Sequence, residues 1–67
     1  MELQTRDDDG ALLTERDAAD LLKISTRTLQ AWRCAGSGPS FIRVGRSIRY
    51  RRLDVLNWLQ SRLVQTR

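Results

Sequence analysis

The stretch from Thr14 to Gly36, TERDAADLLKISTRTLQAWRCAG, constrains the fold of this chain more than any other feature. Thr14 stands directly before Glu15, Arg16, Asp17 and an apolar-periodic run, so its hydroxyl can cap the exposed amides while Asp17 favours the positive helix end. This predicts a helix starting at Glu15. Ala18, Ala19 and Leu22 follow at helical spacing and form a narrow inward face, with Arg16, Asp17, Asp20 and Lys23 on the wet side. The two alanines keep that face thin, so a second helix can approach closely. Ile24 breaks the spacing, and Ser25 supplies a second N-cap from which Thr26 to Cys34 can run before Gly36 ends the helix. On that helix Leu29 and Trp32 share the buried stripe. Arg27, Gln30, Ala31 and Cys34 point away from it, flanked by Thr26, Thr28 and Arg33.

Two short helices joined by a tight turn form a helix-turn-helix, whose second helix lies in the DNA major groove and reads bases near its N-terminus. An ordinary helical hairpin with a polar outer face has the same pattern. The rest of the chain has to decide between them.

A chain of 67 residues allows one small domain with a modest core, so function must sit on its surface. There is no His and only one cysteine, Cys34, which leaves neither a zinc site nor a disulfide framework within one chain; no metal or cofactor is expected. The lone thiol fits a reducing compartment. No apolar run approaches the ~20 residues of a membrane span, and the acidic start is unlike a secretory signal, so a soluble, cytoplasmic protein is expected.

Net charge is +4, but the two ends of the chain differ sharply. Residues 1–22 set Arg6 and Arg16 against seven acids, a net of −5, whereas residues 23–67 set ten basic residues against Asp54 alone, a net of +9. The larger part of the chain therefore suits a polyanionic partner. Eleven of the twelve basic residues are Arg, which suits bidentate contact with phosphate or guanine.

Residues 1–11 read as a disordered acidic arm. Its alternatives are a solvated terminus and a tail that competes with DNA for the basic surface. Ala11, Leu12 and Leu13 lead into the first cap, with Leu13 placed to act as a hydrophobic staple. After Gly36, Ser37-Gly38-Pro39-Ser40 is a loop. Phe41-Ile42-Arg43-Val44 alternates, Gly45-Arg46-Ser47 supplies a turn, and Ile48-Arg49-Tyr50-Arg51 alternates again, which predicts a two-stranded hairpin. In that reading Ile42, Val44, Ile48 and Tyr50 face the helices, Arg43, Arg49 and Arg51 face out, and Arg46 sits at the tip. Such a hairpin suits a wing lying along DNA, its tip arginine on the backbone or in the minor groove. The competing explanation is a charged edge that prevents strand aggregation.

Arg52 to Leu63 reads as a third helix with Asp54 in its first turn. Val55, Trp58 and Leu59 form its inward stripe, and Trp58 is placed to pack on Trp32 at the centre of the core. Leu53, Leu56 and Leu63 fall on a different side, as a contact face for another protein or a surface covered by the N-terminal arm. Residues 64–67 read as a frayed end. The fold expected is a small α+β domain, mostly α: a winged helix-turn-helix over residues 12–63, in which a helix-turn-helix is followed by a two-stranded β-hairpin wing and a C-terminal helix.

In this order of elements the chain resembles the excisionase-like helix-turn-helix proteins, relatives of the MerR-type winged helix. The resemblance covers about residues 12–60 and is carried by LLTERDAADLLKISTRTL, Gly36, FIRVGRSIRY and LDVLNWL. The family's Ala and Leu of the first helix fall on Ala19 and Leu22, and its Ser-x-x-Thr-apolar opening on Ser25, Thr28 and Leu29. Its Val-Gly-Arg wing falls on Val44, Gly45 and Arg46, and its closing Trp-Leu on Trp58 and Leu59. At Lys23-Ile24 many relatives have Gly and a small apolar residue, so Lys23 must take a strained conformation or the turn must differ.

The resemblance implies a non-enzymatic double-stranded DNA binder of a phage, prophage or plasmid, acting in a bacterial host cell at the nucleoid. Members act as excisionases, which bend DNA near an attachment site and bias an integrase toward excision, or as small transcriptional regulators. Candidate base contacts are Thr26, Arg27 and Gln30, next to the cap Ser25. Thr28 and Arg33 are candidates for phosphates, and Arg43, Arg46, Ser47 and Arg49 for the wing. A single copy buries a modest interface, so cooperative self-association on adjacent sites is expected, with an integrase as a further partner. The reading from a different class is a basic protein-interaction module. RNA binding is disfavoured because only Phe41 and Tyr50 offer stacking rings in the basic hairpin. An enzyme is disfavoured by the lack of His, of paired carboxylates in the folded half and of a glycine-rich phosphate loop.

Overall fold

In a computed structural model, which describes residues 10–64, the chain forms three helices and a three-stranded antiparallel sheet. The elements are β1 (Leu12–Thr14), α1 (Glu15–Leu22), α2 (Thr26–Ala35), β2 (Ile42–Val44), β3 (Ser47–Arg51) and α3 (Arg52–Ser61). This is a winged helix-turn-helix. Of the expected disordered arm over 1–11 and frayed end over 64–67, residues 1–9 and 65–67 lie outside the described residues.

The first two helices start and stop where local chemistry dictates. Thr14 Oγ1 accepts from the Asp17 amide at 3.0 Å and Asp17 Oδ2 accepts from the Thr14 amide at 3.4 Å, a capping box that starts α1 at Glu15. Ser25 Oγ accepts from the Thr28 amide at 3.1 Å and opens α2. Both helices end in a left-handed residue, Lys23 (φ 60°) for α1 and Gly36 (φ 79°) for α2. In each case that residue's amide and the next turn back onto helix carbonyls: Lys23 to Asp20 and Ile24 to Ala19, Gly36 to Arg33 and Ser37 to Trp32. The turn is thus the strained of the two alternatives expected at Lys23.

The sheet departs from expectation in two ways. Leu12–Thr14 is a third strand, β1, pairing with β3 so that the order is β1-β3-β2; the residues expected only as a lead-in supply an edge of the sheet. The second departure is the register of the wing. Val44 pairs with Ser47, so the turn holds only Gly45 and Arg46, not Gly45-Arg46-Ser47. Gly45 has φ 62° while Arg46 does not have positive φ, the pattern of a type II′ hairpin with glycine first.

Shortening the turn by one residue shifts the pairing by one, which moves all of β2 to the opposite face relative to β3. Cross-strand partners share a face, so Arg43 lies on the same side as Ile48, and Ile42 on the same side as Arg49. The helix-facing side is marked by buried Tyr50, its partner Leu13, and Ile48. Arg43 therefore belongs to the inner side of the wing. Ile42 and Val44, expected inward, lie on the outer side with Ser47, Arg49 and Arg51, and Val44 is half exposed.

The core is small: Ala18, Ala19, Leu29, Tyr50 and Val55 are buried, and Leu13, Leu21, Leu22, Ile24, Trp32 and Ile48 pack around them. Trp58 does stack near Trp32, with ring centroids 5.4 Å apart, but both rings are only part-buried; Tyr50, Leu29 and Val55 are the large side chains that are fully buried. The helix α3 stops at Ser61, so Leu63 lies beyond it and not on a helical stripe with Leu53 and Leu56. Leu59, expected inward, is 45% exposed. β3 and α1 give α3 its packing surface around Val55, and Leu59 lies one turn beyond that residue.

Candidate nucleic-acid interface

The outward face of α2 carries exposed Thr26, Arg27, Gln30, Ala31 and Cys34. Arg27 is at the N-terminal end, where the unpaired amides of the helix already favour an anion. Ser25 and Thr28 act locally. Besides the amide bond, Ser25 Oγ donates to Thr28 Oγ1 at 2.9 Å, so both hydroxyls belong to the cap. They fix the end of the helix that Arg27 extends from.

Gln30 and Arg33 are both held by one carboxylate. Gln30 Nε2 donates to Glu15 Oε1 at 3.1 Å, and Arg33 Nε donates to Glu15 Oε2 at 2.9 Å. The side chains of Arg33 and Glu15 are only 21% and 19% exposed, and this hydrogen bond holds the guanidinium above its ordinary pKa. Arg33 also lies over Phe41, 5.9 Å from the ring centroid, and Arg43 of β2 lies at the same distance from the same ring. Phe41 thereby ties the wing to the C-terminal half of α2. Its ring packs 6.3 Å from that of Tyr50, whose phenol burial pushes toward higher pKa.

The wing residues expected to act together are divided between two sides. Arg46 is exposed at the tip, and Arg43 lies on the side that faces Phe41 and α2. Ser47 and Arg49 lie on the opposite side, where Arg49 Nη1 donates to the Ile48 carbonyl at 2.9 Å. Arg51, also on that side, forks onto Asp54 at 3.0 and 3.3 Å and so holds the first turn of α3 against the sheet.

A family model for a helix-turn-helix domain matches residues 12–63, which includes every element described above. The chain belongs to the helix-turn-helix domain family. This agrees with the resemblance drawn from its sequence, and the function that goes with the family is DNA binding. No curated protein matches the chain. Among the described residues no helix is long and apolar enough to cross a membrane.

Within this helix-turn-helix, the residue that sequence reasoning misses is Glu15. By sequence it is only part of a helix start, and its partners lie fifteen and eighteen positions away on another helix. No local spacing signals such a contact. The one hint is an acid in a first turn whose capping carboxylate is already supplied by Asp17. Phe41, by sequence a possible base-stacking ring, is in the structure a platform for two arginines.

Proposed function

We propose that this chain is an excisionase of a phage or other mobile element, binding and bending DNA beside an attachment site to favour integrase-mediated excision. The observation that carries the DNA-facing part of this reading is the pairing of an exposed Arg27-Gln30 face on α2 with an exposed arginine, Arg46, at the tip of a wing. In this reading Thr26, Arg27 and Gln30 meet base edges in the major groove. Arg46 and Arg43 contact the backbone or minor groove, Ser47 and Arg49 line the wing, and Ser25 and Thr28 set the end of the recognition helix. Arg33 serves the surface through Glu15 and Phe41, adding positive charge on the phosphate side of the helix.

The excisionase assignment rests on the sequence resemblance; exposed Leu53 and part-buried Leu56 of α3 offer a protein neighbour a small apolar surface, and exposed Leu63 lies past the end of that helix. Cooperative self-association and an integrase contact both suit that surface. The domain proposed to act is residues 12–63.

The test is a nuclease footprint on host DNA carrying neighbouring genes and any attachment site, at ~150 mM salt to suppress nonspecific binding. A run of protected repeats beside the attachment site, with enhanced cleavage between them from bending, is the expected result. Protection confined to a promoter makes the chain a transcriptional regulator, and no protection makes it a basic protein-interaction module.

A further inference from the structure

Glu15 lies on neither the recognition helix nor the wing, yet it touches two residues of the recognition face. The geometry points to Glu15 as a positioning residue that sets base preference by fixing the amide of Gln30, an inference that rests on α2 being the helix that reads DNA. A carboxylate can only accept hydrogen bonds, so the atom of Gln30 facing it must be Nε2 and not Oε1. A free glutamine amide can turn over and present donor and acceptor in either order. Held by Glu15, it presents one order. Nε2 gives one proton to Glu15 and keeps the second, while Oε1 remains an acceptor. Together these are the donor and acceptor with which glutamine pairs with N7 and N6 of adenine.

The other oxygen of Glu15 explains how an acid is tolerated beside a phosphate-binding surface. Oε2 is paired with Arg33 Nε at 2.9 Å, so the carboxylate and guanidinium form a neutral unit, braced by the Phe41 ring. Arg33 fixes Glu15, and Glu15 fixes Gln30. Removing the charge of Glu15 should therefore have two opposite effects: base preference is relaxed, and attraction to any phosphate backbone is retained or strengthened because Arg33 is uncovered. A residue serving only to hold the fold together would weaken both.

The experiment is selection from a randomised duplex library by the full chain and its Glu15→Gln, Glu15→Asp and Gln30→Ala variants. Affinity for one fixed non-cognate duplex is measured in parallel, and tryptophan fluorescence of the Trp32–Trp58 pair reports folding. Glu15→Gln can donate and so permits the flipped amide; Glu15→Asp keeps the charge on α1 but withdraws the oxygen from Gln30, and serves if the first variant does not fold. Both variants should lose about tenfold discrimination, the value of one bidentate base contact, at the positions that Gln30→Ala relaxes. They should leave the other positions alone, and Glu15→Gln should bind the non-cognate duplex as well as the parent or better. Adding Glu15→Gln to Gln30→Ala should cost no further preference there, because Glu15 acts through Gln30. Unchanged preference in the Glu15 variants, or a loss spread over all positions with weaker non-cognate binding, overturns the role of Glu15 and leaves DNA recognition by α2 standing. No enrichment by the parent chain overturns both.

Discussion

Lys23 is held in a conformation that its side chain opposes. Among the described residues it alone combines a side chain with positive φ, and a left-handed L-residue costs roughly 1–2 kcal/mol. Glycine removes that cost but loses part of the gain to its freer unfolded chain, so Lys23→Gly should stabilise the domain by about 0.5–1 kcal/mol. For a domain of this size that is a rise of several degrees in Tm, read by thermal melting. Gly38 is the opposite case. Its φ is +85°, and a Cβ there would sit 3.1 Å from Trp32 Cβ, closer than ordinary contact, and 3.4 Å from Cε3. Gly38→Ala should cost about 1–3 kcal/mol, with a fluorescence change from Trp32 showing that the loop has moved off the ring. Both positions stand out in the sequence, Lys23 as a departure from the expected glycine and Gly38 as a loop residue. Only the structure tells the needed glycine from the missing one.

At the level of elements, α1 and α2 follow directly from Thr14, Ser25, Gly36 and the apolar spacing, because caps act within three or four residues of where they stand. The wing is legible as a hairpin but not in its register. Gly45-Arg46-Ser47 reads as the turn, whereas Ser47 pairs with Val44, and that single residue decides whether Arg43 or Ile42 shares a side with Tyr50. The helix and wing are expected to contribute different kinds of contact. Arg27→Ala should lose sequence preference by about 1–3 kcal/mol at one base position. Arg46→Ala should weaken binding to all sequences alike and lower the salt slope by about one unit, as measured by binding titrations over a range of salt. If Arg46→Ala moves neither affinity nor salt slope, the tip of the wing does not touch DNA.

For the whole molecule, the decisive addition is β1. It pairs with β3 through Leu13 and Tyr50, and the carbonyl of Ala11 accepts the Arg52 amide at 3.0 Å, so the start of the fold is tied to the first residue of α3. With five buried residues the core leaves only a small margin of stability. A chain begun at Glu15, lacking β1 and the Thr14 cap, should lose its cooperative thermal transition; a chain lacking only residues 2–9 should keep it. The division between what was readable and what was not follows from range. The limits of α1 and α2, the hairpin, the charge asymmetry and the polar face of α2 depend on residues near one another along the chain, and the sequence by itself determined them. The third strand, the facing of β2, the exposure of Leu59 and the hold of Glu15 on Gln30 and Arg33 depend on which distant segments meet. Those were decided only when the chain packed, because cross-strand register and an ion pair between two helices have no signature in local spacing.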